Sequence, residues 1–264
     1  MSNFKIELEN IEKTYLTKNG PLIAVTDVNF GVEENDFVTL VGPSGCGKST
    51  IIRMLGGIIT PTKGKIIYSG KEYTNGIPRE EQRNLGFIFQ SHNLLPWFTI
   101  RKNLELPLNI FNLTGEKWQK SIESLLQMVN LSEHAESYPT ELSGGMQQRV
   151  GVIRAMVHNP EILLMDEPFG ELDAINREQL DIELLSIWEK TKKTIIFITH
   201  NVSEAILLSS RVLVMSTNPG RIIEEVKIDL PRPRSLEMMN EERFLDYEEQ
   251  ITNLIGELNL EMVE

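Results

Sequence analysis

Short apolar runs recur along the chain, each bounded by turn-forming or polar residues. Within most of them the apolar residues are consecutive, which predicts strands buried on both faces, as in a parallel sheet covered by helices. Helical stretches separate the runs, and this alternation predicts an α/β, doubly wound core. The predicted strands are Phe37–Val41, Phe87–Phe89, Ile162–Met165, Thr194–Thr199 and Arg211–Met215. The predicted helices are Thr50–Leu55, Trp118–Val129, Met146–Val157, Ile175–Lys190 and Val202–Leu208.

Two other segments differ from this core. Phe4–Gly31 contains short alternating segments about the turn Lys18-Asn19-Gly20-Pro21, which predicts an N-terminal antiparallel β subdomain. Residues 91–160 carry helix signals without a convincing strand, so we expect a helical insertion subdomain there.

The C-terminal region begins with turn-forming residues and prolines and not with a strand or helix of the core. Asn218-Pro219-Gly220 marks a turn, and Pro231 and Pro233 break regular structure. Apolar residues then recur at helical spacing, which predicts an amphipathic helix docked on the domain. They are Phe244, Ile251, Leu254, Ile255 and Leu258. We therefore expect one domain over residues 4–235 and an acidic helical tail over residues 236–264.

Composition and charge narrow the class of protein. The 264 residues are 41% apolar and 24% charged, which is ordinary for a globular chain with a real core. The net charge is −12, and residues 236–264 contribute nine acidic residues against one arginine. This balance offers no basic face, so we expect no nucleic acid partner, although a small anionic ligand stays open.

The sequence also predicts where in the cell the protein is found. No apolar run approaches the roughly 18 residues of a membrane span, and Met1–Lys5 does not resemble the start of an export signal. The single cysteine, Cys46, cannot form an internal disulfide, which agrees with a reducing compartment. We expect a chain that stays in the cytoplasm.

The stretch Gly42-Pro43-Ser44-Gly45-Cys46-Gly47-Lys48-Ser49-Thr50 fits the phosphate-loop pattern. Its glycines let backbone N–H groups approach an anion, and the following helix adds the positive end of its dipole. Lys48 would bring its charge to the β- and γ-phosphates, and the Ser49 hydroxyl would ligate Mg²⁺. Cys46 stands at a free position of the pattern, which indicates a filler and not a nucleophile.

Polar side chains follow three of the predicted strands. Asp166 and Glu167 come directly after the most apolar run, and we expect Asp166 to hold Mg²⁺ and Glu167 to act as general base toward water. Gln90 and His200 end two other runs, at the edge of a parallel sheet where ligands bind. Gln90 could touch the metal or the attacking water, and His200 could contact the γ-phosphate.

A second anion site is predicted at Leu142-Ser143-Gly144-Gly145-Met146-Gln147-Gln148-Arg149. Ser143 is a good N-cap, the glycines free the backbone, and a helix follows. The stretch contains neither a lysine nor a metal ligand, so it is half of a nucleotide site. We infer that it completes a site on another copy of the protein, so that ATP would hold two chains together.

The order of these motifs closely resembles the ATP-binding cassette ATPases over about residues 4–230. The resemblance implies ATP and Mg²⁺ as ligands, and it implies that Ser143 and Gly145, with Gly144 between them, face the γ-phosphate bound by the partner. It also implies that Tyr15 stacks on adenine and that Leu172-Asp173 lies at the dimer seam. Glu167, His200 and Lys48 would be the catalytic residues.

Further segments look like the importer ATPases for nitrate, sulfonate, taurine and related small molecules. They are Leu94-Leu95-Pro96-Trp97, Asp166-Glu167-Pro168-Phe169-Gly170, Asn218-Pro219-Gly220-Arg221-Ile222 and Leu230-Pro231-Arg232-Pro233-Arg234. Two positions differ from these importers. They usually carry a small residue where this chain has Glu171, and Asp where it has Asn201. The Glu171 difference affects the expected geometry of the dimer seam. The chain also ends too early for the regulatory barrel of some sugar importers.

The resemblance implies a motor subunit that dimerises on ATP and powers a membrane importer. Its partners would be a second cassette, transmembrane permease subunits docked beside Gln90 and, indirectly, an extracytoplasmic substrate-binding protein. It would lie peripherally on the cytoplasmic face of the cell membrane.

The alternative is a cassette ATPase that acts on nucleic acid or ribosomes, but these usually carry tandem cassettes or a coiled-coil insertion. A phosphate-loop kinase would not need the Ser143 half-site, and a non-catalytic adaptor would not need Glu167 and His200.

Overall fold

The computed structural model describes residues 4–170 and 172–260. Ten strands are present in these residues. In chain order, β1 to β10 are Phe4–Thr17, Gly20–Glu33, Phe37–Val41, Lys63–Tyr68, Lys71–Tyr73, Leu85–Ile88, Ile162–Asp166, Thr194–Ile198, Arg211–Met215 and Ile222–Lys227. Helices α1 to α8 are Lys48–Leu55, Arg79–Gln82, Ile100–Ile110, Glu116–Met128, Gly144–Met156, Ala174–Thr191, Val202–Leu208 and Glu242–Leu260.

The strands form two sheets. A six-stranded sheet has the order β10-β9-β3-β8-β7-β6, and all its pairs are parallel except that of β10 with β9. A four-stranded antiparallel sheet has the order β2-β1-β4-β5. The predicted fold class, a phosphate-loop α/β core with a mostly parallel sheet and an N-terminal antiparallel sheet, is therefore confirmed.

Each central strand of the larger sheet is buried on both faces, and this explains its consecutive apolar residues. In β3, Phe37 and Val41 pack into one core with the helical insertion, whereas Val38 and Leu40 pack into a second core with the smaller sheet and α1. In β8, Phe197 enters the first core and Ile196 the second. The central sheet is thus covered on both sides, and its carboxyl edge is left for ligands.

The region between residues 91 and 160 contains α3, α4 and α5, and within this fully described stretch no strand occurs. Its apolar residues pack on the first core, among them Leu104, Leu126 and Ile153. The C-terminal helix α8 buries Phe244 and Ile251 against the same core, while Leu254 and Ile255 are half-buried. The side chain of Leu258 and all of Glu171 lie outside the described residues.

Two differences from the sequence expectations have physical reasons. The strand predicted at Phe87–Phe89 is β6, Leu85–Ile88, because Phe89 leaves the sheet and stacks on Phe87 with ring centroids 4.3 Å apart. Strands β4, β5 and β10 were not predicted. They lie at or near the sheet edges, where most of their residues stay partly exposed and the apolar signal is weak.

Candidate nucleotide site

The phosphate loop connects β3 to α1 and wraps around the Lys48 side chain. The Lys48 ammonium donates hydrogen bonds to the carbonyl oxygens of Gly42 at 2.8 Å and Pro43 at 3.1 Å. The side chain is held inside the loop, because Lys48 is only 5% exposed. Gly47 has φ +99°, and a Cβ there would approach Val25 to 2.3 Å, so only glycine fits this turn. The loop is a preformed cradle with a positive centre.

A pair of oxygen ligands lies beside this cradle. The Ser49 hydroxyl, at the start of α1, donates to a carboxylate oxygen of Asp166 at 2.8 Å, although the two residues are 117 positions apart. Burial raises the pKa of Asp166, and the Arg53 guanidinium lies 3.9 Å from its other oxygen. A hydroxyl and a carboxylate suit Mg²⁺, which takes few protein ligands and completes its shell with phosphate oxygens and water. No cluster of three or more acidic, histidine or cysteine side chains able to hold a metal occurs in the described residues.

Glu167 and His200 meet at the same edge of the sheet. His200 Nδ1 lies 3.4 Å from a carboxylate oxygen of Glu167. Glu167 adopts the left-handed region with φ +46°, which is unfavourable for a non-glycine residue, and its backbone N–H donates to Ile198. This backbone turn breaks the strand alternation after Asp166. The two neighbouring carboxylates can therefore serve different neighbours, Asp166 toward Ser49 and Glu167 toward His200.

Gln90 lies at this edge, whereas Tyr15 lies on the smaller sheet. Gln90 follows β6 and is exposed, at the carboxyl end of the strand beside β7. Tyr15 lies near the end of β1 in the smaller sheet with its ring partly exposed, and the Lys13 ammonium is 5.3 Å from the ring centroid. The order of the parallel strands explains why Gln90, Asp166 and His200 share one edge with the phosphate loop.

The second predicted anion site opens elsewhere on the molecule. The Ser143 hydroxyl caps α5 by accepting from the Met146 N–H. Around Gly144 and Gly145 there is open space, since no heavy atom lies within 4 Å of an added Cβ. The cleft there has a volume of about 540 Å³. Its lining is Ser143, Gly144, Gly145, Met146, Arg149, Leu172, Asp173, Asn176, Gln179 and Leu180.

This cleft contains no residue of the phosphate loop. It instead unites Ser143 with Asp173, which caps α6 by accepting from the N–H of Asn176 at 3.1 Å and from its side-chain amide at 2.6 Å. These bonds lower the pKa of Asp173. The chain therefore presents two separate features: the loop edge with Lys48, Ser49 and Asp166, and the open Ser143 cleft, which is lined by none of these three residues.

Two contacts that the sequence did not predict connect these features. The Gln148 side-chain amide on α5 donates to the carbonyl of Pro168, next to Glu167. Arg149 forms a two-pronged ion pair with Glu183 on α6, with N–O distances of 2.7 and 2.5 Å. Because Ser143 caps the start of α5, these contacts fix the open cleft relative to Asp166 and Glu167 of the same chain. Their partners are distant in sequence and no local motif indicates them.

A third unpredicted contact supports the phosphate loop from behind. The turn at Asn218-Pro219-Gly220 brings Gly220 against Cys46, where an added Cβ would meet the Cys46 carbonyl oxygen at 1.9 Å. Cys46 is buried under Lys48, and burial raises the pKa of its thiol. The sequence indicated a turn at Gly220, but its contact with the loop depends on the sheet topology.

The chain has a phosphate loop, and it has Asp166 and Glu167 at the carboxyl edge of a mostly parallel sheet. This combination defines a phosphate-loop nucleoside triphosphatase. The chain belongs to the ATP-binding cassette (ABC) transporter family, whose profile matches residues 25–170. It is accordingly an ATPase of the ABC type.

Individual relatives match over nearly the whole chain. An ABC transporter ATP-binding protein of Methanocaldococcus jannaschii is 42% identical over 251 residues, which cover 95% of this chain and 91% of the relative. The aliphatic sulfonates import ATP-binding protein SsuB of Bacillus cereus is 40% identical over 247 residues, which cover 93% of this chain and 94% of the relative.

Solved structures agree with the sequence relatives. The dimeric, post-hydrolysis structure of an ATP-binding cassette bound to ADP and Pi matches with a TM-score of 0.74 and 33% identity. The match covers 86% of this chain and 100% of that one. Of the helices in residues 4–170 and 172–260, none is both long and apolar enough to cross a membrane.

Proposed function

We propose that this chain is the ATP-hydrolysing subunit of a membrane importer and that it dimerises face to face when ATP binds. The observation that carries the proposal is the separation of the two features, because the Ser143 cleft contains none of Lys48, Ser49 and Asp166. A second copy would bring that cleft over the phosphate loop of the first. The solved structure of the related cassette, which is described as dimeric, supports this arrangement.

Each residue of the loop edge then has a role. Residues 42–50 bind the phosphates through the Lys48 ammonium and the backbone N–H groups of every loop residue except Pro43, and Tyr15 stacks on adenine. Ser49, Asp166 and Gln90 would hold Mg²⁺, which when bound neutralises phosphate charge. Glu167 accepts a proton from the attacking water, and His200 positions the γ-phosphate.

The closing partner supplies the remaining contacts. Ser143, Gly144 and Gly145 of the second copy would donate to the γ-phosphate from the amino end of α5. Asp173 would lie at the seam beside them. Because neither half is complete alone, hydrolysis depends on pairing, and separation of the copies after hydrolysis would complete the cycle.

For the cargo we propose a small molecule of the nitrate, sulfonate and taurine class. Support comes from the relatives named as aliphatic sulfonate import proteins, which are 40–41% identical to this chain. The chain itself would not touch the cargo, since the cargo passes through the membrane subunits. An extracytoplasmic binding protein would deliver it.

For the permease we propose a docking surface on the helical insertion. Trp97 is 67% exposed in the segment after Gln90, next to Phe98 and close in sequence to the half-exposed Phe89. Exposed aromatic residues of this kind suit a protein interface. The chain would thereby lie peripherally on the cytoplasmic face of the membrane. Its net charge of −12 argues against nucleic acid as the alternative partner.

The Glu167→Gln variant tests this proposal. Loss of the general base should lower ATP turnover by about 10²–10⁴-fold, because the water is no longer deprotonated, while ATP binding persists. The unhydrolysed nucleotide should then hold two copies together, so light scattering should detect an ATP-dependent dimer. The control is Glu80→Gln on the exposed α2, which should hydrolyse ATP as the wild type does.

Two results would contradict it. Wild-type turnover in Glu167→Gln would remove Glu167 from its role as base. A variant that binds ATP and Mg²⁺ yet stays monomeric, also in the presence of the permease, would overturn the face-to-face dimer.

A further inference from the structure

One arginine of α5 reaches the stretch of chain that follows Gln90. The Arg154 guanidinium donates a hydrogen bond to the carbonyl of His92 and another to the carbonyl of Asn93, both at 2.8 Å. These acceptors lie 62 and 61 positions away along the chain, so no local motif indicates the contact. Helix α5 thus holds the backbone just beyond a residue of the candidate site.

The contact uses the planar shape of the arginine side chain. Two nitrogens of one rigid group donate to two successive carbonyls, so a single side chain fixes the orientation of both peptide groups. Both acceptors are neutral, and burial lowers the pKa of the half-buried Arg154. A cation held in this way specifies a geometry more than it adds stability.

The segment also lies directly against α5. A Cβ added at Gly151 would be 3.6 Å from the Cβ of His92, which is an ordinary van der Waals distance. Asn93 has φ +46°, in the left-handed region, and the Ser91 hydroxyl donates to its side-chain oxygen at 3.1 Å. The backbone therefore turns at the point that Arg154 holds.

A second side chain, Asn103 of α3, holds the far half of the segment. Asn103 is fully buried. Its side chain forms four hydrogen bonds of 2.8–3.1 Å with backbone groups of Leu95, Phe98 and Thr99. These bonds fix the turn that carries the exposed Trp97. The half of the segment next to Gln90 is held by Arg154 instead.

Gln90 lies on a short span of chain between two fixed points. On one side, Ile88 ends β6 and pairs with Met165 of β7. On the other side, the carbonyl of His92 is bound by Arg154. Because only residues 89–91 separate these points, fixing both of them leaves the span few conformations. The place of Gln90 at the carboxyl edge of the sheet therefore depends on both.

We propose that Arg154 is a positioning residue, which keeps Gln90 in place for hydrolysis by tying its segment to α5. The same helix is capped by Ser143, so this tie also fixes Gln90 relative to the open cleft. The role in hydrolysis rests on the proposed function, in which Gln90 belongs to the nucleotide site. The tie between α5 and the segment does not.

Amide hydrogen exchange of the full chain tests the tie without ATP. In Arg154→Met the amides of residues 91–95 should exchange about threefold faster than in the wild type, because the segment opens more often once its carbonyls lose their donor. Arg154→Lys keeps the charge without the planar fork and should also speed exchange, which retains the test if Arg154→Met does not fold. The matched control is Arg101→Met on α3, whose side chain binds Glu123 and Glu136 at 2.6 Å and should leave this exchange unchanged. Wild-type exchange in the Arg154 variants would overturn the tie.

Steady-state ATPase measurements test the positioning role. With Gln90 free to move, kcat should fall about tenfold in Arg154→Met, whereas KM for ATP should stay within about twofold because the phosphate loop still binds the nucleotide. Arg101→Met should keep the wild-type kcat. A wild-type kcat in Arg154→Met, or an equal fall in both variants, would overturn the role. A wild type without ATPase activity would contradict the proposed function and the role in hydrolysis with it, while the exchange result would still decide whether Arg154 holds the segment.

Discussion

At the scale of single residues, the phosphate loop depends on Gly220, a residue far from it in sequence. Its N–H donates to Ala24 and its carbonyl accepts from Thr26, both at 3.0 Å, so the turn is tied to β2 while it packs against Cys46. A side chain at this position has no free space, because the nearest atom belongs to the backbone and cannot rotate away.

Gly220→Ala should therefore push the phosphate loop out of position. Overpacking of this kind costs about 1–3 kcal/mol, so we expect ATP to bind about tenfold more weakly, measured by calorimetric titration. Gly256→Ala on α8 is the matched control, because open space surrounds that position and ATP affinity should not change. Wild-type affinity in Gly220→Ala would show that the turn does not support the loop.

The candidate site was predictable from sequence where its residues are adjacent along the chain. Lys48 and Ser49 stand in one motif, and Asp166 and Glu167 end one apolar strand, so the parallel topology alone placed them at one edge. The contacts Gly220–Cys46 and Gln148–Pro168 could not be predicted. Each joins residues whose local patterns are those of an ordinary turn or helix, and only the packed fold brings them together.

At the scale of elements, one buried arginine, Arg234, holds the segment between β10 and α8 against the rest of the protein. The Arg234 guanidinium donates to the carbonyls of Ile206, Leu207 and Ser209 at the end of α7, and to those of Ile228 and Leu230 after β10. Burial lowers its pKa, whereas these acceptors favour the charged form. Arg232 stacks on the Trp188 ring, with its guanidinium carbon 4.1 Å from the centroid.

Arg234→Met should leave those carbonyls without a donor and lower the free energy of unfolding by about 3 kcal/mol, as measured by urea denaturation. Arg243→Met, at an exposed arginine that donates to Asp229, should change it by only about 0.5 kcal/mol. Equal effects of the two substitutions would mean that Arg234 does not fasten the segment.

The strands and helices also show which elements a hydrophobic pattern predicts and which it does not. Buried strands such as β3 and β8 were predicted because all of their residues are buried, and α7 was predicted with its correct ends. In β10 only Val226 is buried and glutamates fill the centre. An edge strand forms through backbone hydrogen bonds to a neighbour, which leave little trace in the hydrophobic pattern.

At the scale of the whole molecule, a dimer built from two half-sites should allow complementation between two inactive chains. Lys48→Gln disables the phosphate loop but leaves the Ser143 cleft intact, whereas Ser143→Arg fills the cleft and leaves the loop intact. A mixed dimer has one complete site. An equal mixture should therefore recover about a quarter of wild-type ATPase activity, since about half of the dimers are mixed.

Each variant alone should be nearly inactive, and the recovered activity should depend on the total protein concentration as pairing does. The control mixture combines wild type with the double variant that carries both changes; its mixed dimers pair an intact chain with an inert one and contain no complete site. Two inactive chains that stay inactive when mixed would contradict composite sites.

The burial of Cys46 makes its thiol a probe of whether the phosphate loop is closed. It is the only cysteine in the sequence, it is 1% exposed, and it lies beneath the Lys48 ammonium, with its sulfur 3.7 Å from that nitrogen. A thiol reagent can reach this sulfur only when the loop opens. The rate of labelling thus measures the opening of the loop in the unmodified protein, and its slowing by nucleotide gives an affinity without any engineered probe.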